Sequence, residues 1–217
     1  ILSQLFMSRI RLTRGDLVGA ANFLAQAEQN THQKDFKVRL PNIAGGQALI
    51  HLYQGNISAA AQIAQQYDLP LLQARTFIVR GDPSAALALL VPYRQQMEEK
   101  GWVDELLRVM VFQALALHTQ GEKDPAYQVL TEALTMAEPG GFMRLFIENG
   151  EPMRLLLVDF RSWLEKQSSD RTHPLTAYVD KILATFEPLE AVPGSKTNNR
   201  QTGLIEPLSQ RELEVLQ

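Results

Sequence analysis

The 217-residue sequence predicts an all-α chain of antiparallel helix pairs stacked in phase as a repeat. Three observations carry that expectation. Apolar residues recur at three- and four-residue spacing along most of the chain, with almost no alternation of the kind strands require. Glycines stand at four matching turns, Gly15, Gly55, Gly81 and Gly121. Around each of them the same residue classes return at the same offsets.

The residue before each glycine is long and polar: Arg14, Gln54, Arg80 and Gln120. The residue after it is a capping or acidic type: Asp16, Asn56, Asp82 and Glu122. Small residues stand seven positions before (Ser8, Ala48, Ala74, Ala114) and alanines five after (Ala20, Ala60, Ala86, Ala126). Nine positions beyond come Leu24, Ala64, Leu90 and Leu130. A glycine takes the left-handed backbone that ends a helix at little steric cost. A following Asp or Asn can accept hydrogen bonds from the orphan N–H groups of the next helix. Asp82-Pro83 and Asp124-Pro125 place proline where a first helical position needs no N–H. Small side chains on both sides of the turn let the paired helices approach closely, and the larger apolar residues fill the space between pairs.

This register predicts helix pairs over about 1–14 with 16–29, 42–54 with 57–67, 69–80 with 83–100, and 102–120 with 124–137. A further helical stretch at 142–167 is expected to break near Gly150, and another runs from about Pro174 to Phe186. The register resembles the tetratricopeptide (TPR) repeat and implies a TPR-like α-α superhelix. The glycine intervals of 40, 26 and 40 residues depart from the uniform repeat of ~34, and most of that family's aromatic landmarks are missing. The repeats are degenerate. The alternative is an ordinary helical bundle, which would not require six offsets to recur at four turns.

Composition narrows the function. The chain is 45% hydrophobic, ample for a packed core, and its formal net charge of −3 gives no basic surplus for nucleic acid. Cysteine is absent, which excludes disulfides and thiol metal sites. No apolar run approaches the ~20 residues that span a bilayer, so no membrane contact is expected. The chain starts at Ile1 without a secretory leader and stops at Gln217 within a helical pattern. It therefore reads as an excerpt of a longer, cytoplasmic protein.

The tail changes character. The stretch Glu190-Ala191-Val192-Pro193-Gly194-Ser195-Lys196-Thr197-Asn198-Asn199-Arg200 is rich in turn formers and reads as part of a flexible linker over 188–207. In Pro207-Leu208-Ser209-Gln210-Arg211-Glu212-Leu213-Glu214-Val215-Leu216-Gln217, Ser209 and Glu212 form a capping box ahead of an apolar face. By itself that is only a helix start. Leu208, Ser209, Arg211, Glu212, Glu214, Val215 and Leu216 also resemble the opening of a LuxR-type helix-turn-helix domain. A second segment, Gly140-Gly141-Phe142-Met143-Arg144-Leu145-Phe146-Ile147-Glu148-Asn149-Gly150-Glu151-Pro152-Met153-Arg154-Leu155-Leu156, resembles the one that follows the repeats in the large MalT-type transcription regulators.

That resemblance implies a TPR-like domain over 1–187, the linker, and a truncated helix-turn-helix start at 208–217. It implies an ATP-binding switch module upstream and DNA contact only through the part beyond Gln217. No phosphate-binding G-x-x-x-x-G-K-[ST] loop lies in this chain, so no cofactor is expected here. The implied role is sensing or docking: an inducer or a peptide or protein partner binds, with self-association of the parent protein also open. The alternative is a TPR-like interaction scaffold without small-molecule sensing.

No catalytic constellation stands out, and an enzyme is not expected. His32, His51, His118 and His173 lack metal-ligand spacing, and Asp159, Glu165, Asp170 and Asp180 read as solvated helix residues. In TPR arrays the first helices of successive pairs line the concave face. The register puts Arg9, Tyr53, Arg75, Arg108 and His118 there, where arginine can fork onto carboxylates or phosphates and tyrosine offers a flat face. For any one of them an ordinary solvated position is the plainer expectation. Trp102 and Trp163 read as core residues. Gln47, Gln73 and Gln113 recur eight residues before their turns, a spacing that fits hydrogen bonding between pairs.

Overall fold

The computed structural model describes residues 1–33, 36–167 and 173–186. Among them are eleven α-helices and no strand. Four pairs come first: α1 (Leu2–Thr13) with α2 (Leu17–Gln33), α3 (Leu40–Tyr53) with α4 (Ile57–Gln66), α5 (Pro70–Val79) with α6 (Pro83–Lys100), and α7 (Val103–Gln120) with α8 (Lys123–Ala137). A single turn, α9 (Arg144–Ile147), then leads into α10 (Glu151–Gln167) and α11 (Thr176–Ala184). Helix α2 runs past its expected end, and a 3-10 turn at Lys37–Arg39 enters α3. The stretches read as a linker (188–207) and as a helix-turn-helix start (208–217) lie outside the described residues, as does Asp170.

The four glycines end their helices in the same way. Their φ values are +72°, +77°, +78° and +92° at Gly15, Gly55, Gly81 and Gly121. At each, the glycine N–H bonds to the carbonyl three residues back and the next N–H to the carbonyl five back, as in Asn56 to His51 at 2.8 Å. This is the Schellman pattern, which satisfies the last carbonyls of the helix. Capping at the following helix is less uniform than the sequence implies. Asp16 accepts from the Gly19 N–H at 2.8 Å and Asp82 from the Ala85 N–H at 3.1 Å. Asn56 and Glu122 make no side-chain cap bond. Helix α8 begins at Lys123, so Pro125 occupies its third position and not its first. It still lies within the first turn, where an N–H has no helical partner to lose.

Every small and apolar position of the register is buried. Ala20, Ala48, Ala60, Ala64, Ala74, Ala86, Ala114, Ala126, Leu90 and Leu130 are fully inaccessible, and Ser8 and Leu24 nearly so. The glutamines join the pairs. Gln47 on α3 donates to Glu28 on α2 at 3.2 Å, and Gln73 on α5 to the Ala64 carbonyl of α4 at 3.0 Å. Gln113 on α7 accepts from Arg94 on α6 at 3.5 Å. Each bond therefore runs from a first helix to the second helix of the preceding pair.

First helices also touch one another, α1 with α3, α3 with α5 and α5 with α7, whereas the second helices make no comparable contacts. The first helices thus line the inner, tighter side of the stack. The segment after the repeats packs on that side, with α9 and α10 both against α7. Helix α7 is consequently covered on two sides and has eight buried residues, including Val109, Met110, Val111 and Leu115. Tyr127, Phe160 and Trp163 form a ring cluster with centroids 5.4–5.8 Å apart. Trp163 thus belongs to the core. Trp102 does not: it is 56% exposed ahead of α7, with the Lys100 ammonium 4.8 Å above its ring. It precedes the first turn of α7 and has no facing helix.

Candidate functional site

Three of the five predicted face residues meet at one place. Arg9 comes from the middle of α1, Tyr53 from the end of α3 and Arg75 from the middle of α5. Arg9 and Arg75 converge on Glu148, which ends the α9 turn, and Tyr53 lies beside Arg75. The Arg9 guanidinium donates to both Glu148 carboxylate oxygens, at 3.1 and 3.0 Å. Arg75 donates to the Glu148 backbone carbonyl at 3.2 Å, and its guanidinium carbon lies 5.9 Å from the Tyr53 ring centroid. Arg144, one turn before Glu148, donates to the same carboxylate at 2.9 Å. The Glu148 side chain retains 26% exposure and Arg9 52%, so water reaches the cluster.

The backbone explains why Glu148 is there. Gly141 and Gly150 take left-handed φ of +65° and +63°, bracketing a short segment that cannot continue α8 or merge with α10. Between them Phe146 and Ile147 are buried in the core, which fixes the turn against α7 and turns Glu148 toward the open face. Asn149 donates to the Leu145 carbonyl at 2.8 Å and closes the turn.

The fourth residue, His118 on α7, meets a different carboxylate. Its Nε2 lies 3.2 Å from an Asp159 oxygen of α10, and Lys123 Nζ donates to the same oxygen at 2.8 Å. Lys123 first and His118 second hold the Asp159 carboxyl below the usual carboxylate range. Asp159 is therefore a paired group and not a free solvated one. Glu165 and Asp180 are likewise paired, both with Arg161. Arg108 stays exposed, with no partner among the described residues. The chain's own segment at 144–159 thus engages three of the five predicted residues, Arg9, Arg75 and His118, while Tyr53 contacts Arg75.

A family model described as the MalT-like TPR region matches residues 1–162. The chain belongs to that family. No curated protein and no solved structure matches it. The match covers all four pairs, the α9 turn and most of α10, so the Glu148 cluster lies wholly inside the MalT-like TPR region. It is a helical regulatory or protein-interaction region.

Sequence reasoning missed Glu148 and Arg144, and took Asp159 for a solvated residue. The segment bearing Glu148 was legible as one that follows the repeats, but nothing in its spacing shows that it folds back along them. A second concavity lies elsewhere in the MalT-like TPR region: an open groove of about 550 Å³ lined by Leu87, Val91, Arg94, Gln113, Leu117 and Val129. None of the predicted face residues borders it. Its one arginine is already matched by Glu98 at 2.7 Å and Glu132 at 2.6 Å. Among the described residues, no group of His, Asp or Glu could hold a metal ion, and no helix is long and apolar enough to cross a membrane.

Proposed function

We propose that this region is the sensing or docking domain of a bacterial transcription activator, with the inner face of the stack as its receptor surface. One observation carries the reading. Residues from three separate pairs, Arg9, Tyr53 and Arg75, come together on that face although they are far apart in sequence. A surface assembled from several repeats changes when the repeats shift, which a receiver needs. An inducer or partner protein that prefers one arrangement of the pairs moves the equilibrium by its differential affinity and by no more. The change would pass to an upstream ATP-binding module and a downstream DNA-binding domain of the parent protein. This domain itself would act on DNA only through that downstream part, and we assign it no enzymatic role and no cofactor of its own.

The test is a reporter assay with the full-length parent protein. Removal of residues 1–187 is expected to abolish the response to its inducer, and Arg75→Ala to weaken it. A normal response without residues 1–187 overturns the reading. A scaffold without small-molecule sensing is the second reading. The open apolar groove between α6, α7 and α8 favours it, because a peptide could lie there without touching the Glu148 cluster.

A further inference from the structure

The charges at the Glu148 cluster do not balance. Arg9, Arg75 and Arg144 bring three guanidiniums, and Glu148 brings one carboxylate. Three less one leaves a surplus of two positive charges. Among the described residues no second carboxylate pairs with any of the three. Arg94 shows the opposite arrangement, one guanidinium between the two carboxylates Glu98 and Glu132. In a chain whose formal net charge is −3, a local surplus of arginine is not a consequence of composition.

The donors are also incompletely used. Arg75 meets only a backbone carbonyl and the face of Tyr53. A guanidinium has five N–H donors in a planar fork matched to carboxylate and phosphate oxygens. The Tyr53 ring lies beside that fork, its centroid 5.9 Å from the guanidinium carbon, and half of the tyrosine remains exposed. The carboxylate already present occupies the position that a ligand's oxyanion would take.

We infer that Arg9, Tyr53, Arg75 and Arg144 form an oxyanion site, and that Glu148 is its internal occupant. The ligand carries a carboxylate or a phosphate and competes with Glu148 for the same guanidiniums. This deepens the proposed function and rests on it for its biological meaning, though not for the chemistry. Because Arg9 belongs to the first pair and Glu148 follows the last, an anion that draws Arg9 away also releases a contact between the two ends of the stack. Binding and shape are thereby coupled in one set of residues.

The experiment is calorimetric titration of the 217-residue protein with succinate and, separately, with inorganic phosphate, at an ionic strength held constant with chloride. Saturable binding is expected for at least one of the two. The tighter anion tells whether the natural ligand is a carboxylate or a phosphate. Glu148→Gln, nearly isosteric, should tighten binding about two- to fivefold, the scale of one exposed charge pair. Arg75→Ala should abolish it, and Arg9→Ala, at an exposed position, should weaken it without affecting folding. Heats that do not differ from those of chloride, or a Glu148→Gln protein that binds more weakly than wild type, would overturn the inference. If the anions bind as expected while Arg75→Ala leaves the parent protein's reporter response intact, the oxyanion site stands and its part in sensing falls.

Discussion

The two ends of this chain are held together by different means. Around α1 to α3 the core is a small cluster of Leu12, Ala20, Leu24, Ala27, Ile43 and Ile50. Helices approach there because residues are small: a Cβ added at Gly46 would lie 2.8 Å from a Leu24 methyl. From α7 to α11 the core is larger and built of bulky groups, including Phe146, Met153, Leu156, Phe160 and Leu164 around Tyr127. A repeat pair touches only its neighbours, so its stability is a sum of local terms, whereas the later helices share one centre. The contrast assigns roles. The later half is the anchor of the fold, and the earlier pairs rest on a smaller, local core.

Removing the anchor should have the largest effect. Phe160→Ala leaves a cavity in the shared centre and is expected to cost about 3–5 kcal/mol in urea unfolding. A shared centre predicts that α7, α8 and α10 lose hydrogen-exchange protection together; loss confined to the surroundings of residue 160 would contradict it.

The repeat turns come next. An added methyl at Gly55 meets nothing within 4 Å, so Gly55→Ala tests the left-handed backbone alone. The expected cost is about 1–2 kcal/mol, visible as a lower unfolding midpoint with unchanged helix content. A neutral result would mean that the turn is not what holds α3 against α4.

A smaller, pH-dependent effect links α7 and α10. The Asp159 carboxyl is held below its ordinary range in the folded state, first by Lys123 and then by His118. A lowered folded value means stability that is present above the ordinary Asp range and lost as pH falls through the folded value. Thermal unfolding of Asp159→Asn should therefore show less loss between pH 5 and pH 2 than wild type, by roughly the few tenths of a kcal/mol of an exposed pair. An identical pH profile would place the acid sensitivity elsewhere.

How much of this was legible follows from where the information resides. Glycine position, small residues and apolar spacing are local, and they place every helix pair to within a few residues, with Gly15, Gly55, Gly81 and Gly121 as markers. Helical phase assigns Arg9, Tyr53 and Arg75 to one side of the stack, but it does not say what they meet there. Caps at Asn56 and Glu122 were not legible, since a residue able to cap can turn away when its hydrogen bond has competitors. The environment of Trp102 was not, because an apolar residue near a helix start is buried only if another element covers it. Glu148 was not: its pair with Arg144 is an ordinary i,i+4 spacing, while Arg9 and Arg75 lie 139 and 73 residues away, where no spacing rule reaches.

The most direct test of whether Glu148 ties the first pairs to the anchor is hydrogen exchange on wild type and Glu148→Gln. Exchange should quicken in α1 and the α9 turn by about two- to fivefold, the scale of an exposed ion pair, with α7 and α8 unchanged. Equal rates throughout, or quickening confined to residues 144–150, would contradict the account.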